Sequence, residues 1–185
     1  PVGAWNLPPQ EIPIFIRHGV RGLKLFKGWG VIWFRRFQVV TGLVVGQRYR
    51  FTAPVFPDLV DHYTEDFQKV FAPDPLSGEV KLTAAGQESP WFNGNDFTFG
   101  QYHDFTIEFV ASATTETVAV ECRGRHGIEN NGWFLDDLRL EAVGDVIPTG
   151  SIDADLDEII ASATRIKLRL QPARTMARNL SELLG

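Results

Sequence analysis

Three tryptophans lie where their rings could contact a ligand. Trp29 stands between two glycines in a predicted turn, Trp33 follows on a predicted strand, and Trp91 lies in a long irregular segment. A flat indole face can stack on the C–H groups of a sugar ring, while nearby amide or guanidinium groups bind its hydroxyls. The candidate ligand-binding residues are Trp29, Trp33 and Arg35 in one group, and Trp91, Phe92 and Asn93 in a second.

The strand predicted over residues 31–40 determines which of these side chains share a face. Side chains alternate along a strand, which puts Trp33 and Arg35 on one side together with Phe37 and Val39. If Val40 contacts the core, as the Gly-Leu turn after it indicates, the Trp33 side points outward. That side is then the candidate binding face.

Core or loop packing is the alternative for every ring. For Trp29 and Trp91 the two alternatives stay open, whereas core packing is favoured for Trp133. The polar segment Arg123–His126 is interpreted as a solvated loop, with sugar contacts as its alternative.

No residue pattern indicates catalysis. The four histidines do not occur at a metal-ligand spacing, no G-x-S-x-G is present, and no spacing singles out a pair of carboxylates. Cys122 is the single cysteine, which excludes an intrachain disulfide and a zinc cluster of cysteines, and its alternating context predicts a buried strand residue. We therefore predict a protein that is not an enzyme.

Asp136 is the polar residue with the strongest structural signal. Leu138 and Leu140 are predicted to face the core, and Asp136 shares their parity. A buried carboxylate is costly unless something satisfies it. Backbone amides or an arginine could do so, and both alternatives stay open.

The elements that position these residues are mainly strands. Short runs with alternating hydrophobicity are separated by Gly, Pro, Asn and Asp, which predicts an antiparallel sandwich or barrel. Two long irregular segments, 56–78 and 84–100, are predicted between them. The predicted strands are Ile12–His18, Arg21–Phe26, Val31–Val40, Arg48–Val55, Glu79–Thr83, Tyr102–Ala111, Glu116–Cys122 and Trp133–Glu141.

The composition excludes some classes of protein. The chain has 185 residues, a net charge of −5 and 12% aromatic residues. An acidic chain does not favour nucleic-acid binding, and no apolar stretch approaches the roughly 18 residues of a membrane-spanning helix. Because the sequence begins at Pro1 without a methionine, we expect a piece of a longer protein.

The C-terminal region has a different pattern. After residue 145 a linker precedes apolar residues at helical spacing, among them Leu156, Ile160 and Leu170, and Pro172 ends the run. We predict two parts, a β domain over 1–145 and a linker with a helical extension over 146–185. The extension could pack on its own domain, mediate a homo-oligomer, or join a further domain.

Three segments together resemble a known group of proteins. These are Leu23–Phe26, the run Gln38–Phe51 with its pattern Q-x-V-x-G-L-x-x-G-x-x-Y-x-F, and Gly132–Leu140. Residues 10–143 thereby resemble the carbohydrate-binding-module-like jelly rolls of the galactose-binding-like superfamily. The resemblance implies an antiparallel jelly-roll β-sandwich, and it implies a structural calcium ion held by Asp136.

The function that follows is a hypothesis. We expect a carbohydrate-binding-like module of a larger secreted or surface protein, with a glycan or polysaccharide as partner and an extracellular or cell-surface location. The alternative is a structural or oligomerisation module of a virion or cell-surface assembly, in which the rings serve the core and interfaces.

Overall fold

Two antiparallel sheets form the domain. A computed structural model describes residues 1–3 and 5–144, and this part of the chain is mainly β, as predicted. The strands are β1 Val2–Gly3, β2 Arg21–Lys27, β3 Ile32–Thr41, β4 Arg48–Tyr63, β5 Lys69–Phe71, β6 Glu79–Ala84, β7 Gln87–Glu88, β8 Phe92–Asn93, β9 His103–Val110, β10 Thr115–Gly124, β11 Asn130–Leu135 and β12 Arg139–Ala142. One four-residue helix, α1 Ile12–Phe15, and a 3₁₀ turn at Pro75–Ser77 complete the described elements.

The long strand β4 organises the larger sheet. That sheet runs β1-β2-β11-β4-β12, and β5 and β9 also pair with β4. Each edge of β4 is therefore covered by two shorter strands in succession. The smaller sheet runs β3-β10-β6-β7, with β8 also on β6, and we call it the small sheet.

The core lies between the two sheets. Phe51 and Leu59 of the larger sheet share one buried cluster with Leu82 and Val120 of the small sheet, which is the packing of a β-sandwich. The burial predicted for Cys122 and Trp133 is confirmed, and the rings of Phe15, Tyr49, Phe51, Phe105, Phe109 and Phe134 are buried as well. Phe26 is expected to join these core rings from its place in a predicted strand, and this expectation is wrong: Leu23 and Leu25 pack on the core, whereas the ring of Phe26 is exposed on the opposite face of β2. A jelly-roll connectivity stays a prediction.

The predicted first strand, Ile12–His18, is wrong. Residues 12–15 form the short helix α1, with a proline in its first turn, where the missing N–H costs nothing. Phe15 then stacks on Phe134, their ring centroids 4.0 Å apart, in a second small core cluster. Alternation alone could not separate a helical turn from a strand over so few residues.

The predicted last strand, Trp133–Glu141, is two strands separated by a bulge. Leu135 pairs with Val55 of β4, and Arg139 pairs with Thr52, so one extra residue lies on the β11–β12 side. Asp137 takes the left-handed conformation there, with φ of 55°. The bulge moves the core-facing positions from Leu135 on β11 to Leu140 on β12, so the prediction for Leu140 is confirmed. Leu138, also predicted to face the core, lies between the two strands and is exposed.

The irregular segment predicted from residue 56 is wrong over its first part, because β4 continues to Tyr63. Pro54 and Pro57 lie inside this strand, where a proline is tolerated only if the ladder is interrupted beside it. Pro57 faces the gap between β9 and β5, and its carbonyl accepts a hydrogen bond from the Gly100 amide at 2.8 Å. Pro54 faces the opposite edge, at the β11–β12 bulge.

The glycine-rich connection between β3 and β4 is closed by a tyrosine. Gly42 and Gly46 have φ of 79° and 84°, a conformation that other residues adopt at a cost. Leu43 is buried in the core between them. The amide of Val44 donates a hydrogen bond of 3.0 Å to the Tyr49 hydroxyl, so the ring at the start of β4 holds the turn.

Replacing Tyr49 by phenylalanine is expected to lower the free energy of unfolding by about 1 kcal/mol, since the turn amide loses its partner while the ring stays in the core. Urea denaturation measures this difference. Tyr63→Phe is the matched control, and an equal loss in both variants would contradict the assigned role of the Tyr49 hydroxyl.

The predicted helical extension lies outside the described residues, and the division at 145/146 stays a prediction. Within the part of the chain that the structure describes, no helix is long and apolar enough to cross a membrane.

Candidate ligand-binding face of the small sheet

Four of the predicted ligand-binding residues come together on the outward face of the small sheet. Residues paired directly across an antiparallel ladder have side chains on the same face, with Cβ atoms about 4.5–5.5 Å apart. One row runs across four strands in the order Trp33, Arg123, Glu79 and Asn93. The next row consists of Arg35, Glu121 and Lys81. We call these two rows, with Trp91, the outer face.

The prediction for the direction of β3 is confirmed. Trp33 is 67% exposed and Phe37 is 65% exposed, whereas Phe34 and Val40 pack against the core. The indole N–H of Trp33 donates a hydrogen bond of 2.9 Å to a carboxylate oxygen of Glu121 on β10. This bond fixes the orientation of a ring that is otherwise open to solvent.

Trp91 lies over two cations of the outer face. The guanidinium of Arg123 is 3.8 Å from the centroid of the indole, and the Lys81 ammonium is 5.0 Å from it. Cations over an indole are attracted by the negative charge of its face. The ring is half-buried, and this contact holds it against the outer face.

Glu79 anchors the arginines between the two tryptophans. Its side chain is 3% exposed and accepts hydrogen bonds from Arg123 at 2.7 Å and from Arg125 at 2.5 Å. Burial alone would raise the pKa of Glu79, but the two arginines outweigh it and lower that pKa below its ordinary value of 4.5. Glu79 therefore stays ionised and keeps Arg123 under Trp91.

Replacing Glu79 by glutamine is expected to lower the free energy of unfolding by about 1–3 kcal/mol near pH 7, because two charge-assisted hydrogen bonds are weakened. A lowered native pKa stabilises the fold above 4.5, and this stabilisation is lost as the pH falls through the native value. The difference between wild type and variant should therefore shrink from about pH 5 downwards. Urea titrations across this range measure it, and a difference independent of pH would contradict the charged pairing.

The other two predicted residues lie apart from these rows. Phe92 pairs with Val80, and its ring packs on Phe105 of the core at 5.4 Å. Trp29 is 72% exposed and lies in the turn between β2 and β3, where its amide donates to the Ile128 carbonyl at 2.9 Å. The structure thus gives Phe92 a packing role and places Trp29 beside the loop after β10.

Sequence reasoning missed the charged residues between the tryptophans. The predicted strand ended at Cys122, so Arg123 fell into a predicted loop, whereas β10 continues to Gly124. Alternation from buried Cys122 would have placed Glu121 and Arg123 together on the outward face. Lys81 and Glu79 follow from the same alternation along β6.

Asp136 is satisfied by backbone amides, one of the alternatives that the sequence left open. One carboxylate oxygen accepts hydrogen bonds from the amides of Arg17 at 2.8 Å and His18 at 3.0 Å, and the other accepts from the amide of Asp137 at 2.8 Å. N–H groups direct positive charge at the oxygens that a calcium ion would need. Across residues 1–3 and 5–144, no three His, Cys, Asp or Glu side chains are grouped to hold a metal ion. The geometry at Asp136 does not fit a calcium ligand.

Thermal unfolding tests the structural calcium ion that the family resemblance implies. From the amide contacts we expect the thermal unfolding midpoint to be the same in a chelator and in excess calcium. Asp136→Ala should lower the free energy of unfolding by about 1 kcal/mol in both conditions. An unfolding midpoint that falls in chelator and returns with calcium would contradict this expectation and support a bound calcium ion.

Comparisons with known proteins identify no family. No family model matches the sequence, and no curated protein matches it. Among solved structures the chain is similar to the C-terminal domain of EclA, described as a sugar-binding protein, with 16% sequence identity and a TM-score of 0.44. The match covers 75% of this chain and 90% of that one. So distant a likeness assigns no ligand to this chain.

Proposed function

We propose that the chain is a non-catalytic carbohydrate-binding module that holds its glycan on the outer face. The observation that carries this proposal is that two tryptophans meet the same arginine on the outer face: Trp33 pairs with Arg123 across the ladder, and the ring of Trp91 lies on the Arg123 guanidinium. Two aromatic rings on one sheet face, with charged and polar groups beside them, suit a chain of sugar rings.

The face is also held in shape before any ligand arrives. Trp33 is fixed through Glu121, and Trp91 is fixed through Arg123, which Glu79 in turn holds. A surface whose side chains are already ordered loses little entropy when it binds. Arg35, exposed beside Trp33, offers a further donor for sugar hydroxyls.

The proposed context is a larger secreted or cell-surface protein, in which this domain binds a glycan or polysaccharide. The second candidate is a structural or oligomerisation module. The observation that favours it is the exposed apolar stripe of β3, where Phe37 and Val39 continue the line of Trp33.

A glycan array combined with light scattering separates the two candidates. Binding to a defined set of glycans by a protein that stays monomeric is the result expected for the carbohydrate-binding module. Flat signals across all glycans together with a stable oligomer would favour the structural module and contradict the proposal.

A further inference from the structure

A cleft opens between the two sheets on the side away from the outer face. Its volume is about 410 Å³, and it lies between β3 and the strands β11 and β12. Pockets that hold small molecules begin at roughly 300 Å³. The apolar part of its lining includes Leu23, Phe51, Val118 and Leu135, and its polar part includes Arg36 and Gln38.

Two polar side chains stand at inward-facing positions of β3. Arg36 pairs with Val120 and Gln38 pairs with Val118, and both valines are buried in the core. Arg36 and Gln38 therefore point between the sheets, where alternation calls for apolar residues. Both remain exposed, because they lie at the mouth of the cleft.

The charges at the mouth do not balance. Among the residues that the structure describes, Arg36 makes no ion pair with a carboxylate, and its pairing partner on β10 is a valine. Arg139, also at the cleft, lies 3.5 Å from Asp104 and 3.6 Å from Asp137. Arg36 is thus a cation above an apolar floor and is available to a small anion.

We propose that this cleft binds a small amphipathic carboxylate, with its apolar chain between the sheets and its carboxylate on Arg36. An arginine fork binds a carboxylate through two parallel hydrogen bonds, and Gln38 offers a further amide donor. The other explanation of an inward arginine on an edge strand is protection against strand-to-strand association, which requires no ligand. Only the first explanation predicts that the cleft binds a carboxylate.

Sodium octanoate is the probe, titrated into the full chain and followed by calorimetry. Octanoate should bind with one site per chain. Octanol should bind at least about tenfold more weakly, since it lacks the charge that Arg36 recognises. Acetate, which has the head group alone, should give no measurable binding because it buries no apolar surface.

Adjacent arginines supply matched variants. Arg36→Ala should weaken octanoate binding about tenfold or more, and Arg36→Lys should retain part of it. Arg35→Ala removes the same charge from the opposite face of β3 and should leave octanoate binding unchanged. Thermal unfolding checks that each variant is folded. Glycan binding is measured separately, and unchanged glycan binding by Arg36→Ala would show that the two sites are independent.

Three results would overturn the proposal: no octanoate binding by the wild-type chain, equal binding of octanol and octanoate, or equal losses in Arg35→Ala and Arg36→Ala. Aggregation of folded Arg36→Ala without octanoate binding by wild type would instead support the protective role. If the wild-type chain binds octanoate but no glycan, only the proposed function is contradicted, because the glycan site lies on the other face of the small sheet.

Discussion

Replacing Trp133 by alanine is expected to lower the free energy of unfolding by about 3–5 kcal/mol, the range found when a large core ring is removed. The side chain is fully buried between the two sheets and meets the ring of Phe34 edge-on. Its indole N–H also donates a hydrogen bond of 3.1 Å to the Asn131 side chain. Urea denaturation of the full chain, followed by far-ultraviolet circular dichroism, measures the loss.

The hydrogen bonds of the Asn131 side chain add to that effect. Its amide group donates to the carbonyls of Gly30 at 3.2 Å and His126 at 3.3 Å, while it accepts from Trp133. Loss of the indole leaves a buried oxygen without its partner as well as a cavity. Trp133→Phe keeps most of the volume and should cost less. A loss below about 1 kcal/mol for alanine would contradict the packing described here.

Replacing Trp91 by alanine is expected to weaken glycan binding about 30-fold or more, the loss typical of an aromatic residue that dominates an interface. Two effects combine, because the variant loses a stacking surface and also frees Arg123 from the ring that covers it. The measurement is a titration of the best glycan from the array against the folded variant.

Tryptophans elsewhere provide the controls for that experiment. Trp5 is 59% exposed and is stacked by Arg21 of the larger sheet, so Trp5→Ala removes a similar cation–ring contact away from the outer face. It should leave glycan binding unchanged. Trp29→Ala should have a smaller effect than Trp91→Ala, since Trp29 lies outside the two rows. Equal losses in all three variants would mean that the outer face is not the site.

The outward direction of β3 could be predicted because one residue set the parity. Val40 precedes a Gly-Leu turn whose leucine is buried, and simple alternation then exposes Trp33. The fold class followed for the same reason, since period-two patterning is a local property of the chain.

Features that depend on distant neighbours could not be predicted. Pro57 reads as a strand breaker, and only the gap between β9 and β5 makes it acceptable inside β4. The bulge at Asp137 lets Leu135 and Leu140, which differ in parity, both pack on the core, and it leaves Leu138 exposed between the two strands. The contact of Arg123 with Trp91 joins β10 to the residue before β8, and alternation along one strand does not reveal it.

The most direct test of the outer face uses the indole N–H signals of the five tryptophans in a nitrogen-15 correlation spectrum. The chain is titrated with the glycan that binds best on the array, and each signal is assigned by single substitution. The account predicts saturable shifts for Trp33 and Trp91, with Trp5 and Trp133 unchanged. Saturable shifts that spare both Trp33 and Trp91 would contradict the proposed binding face.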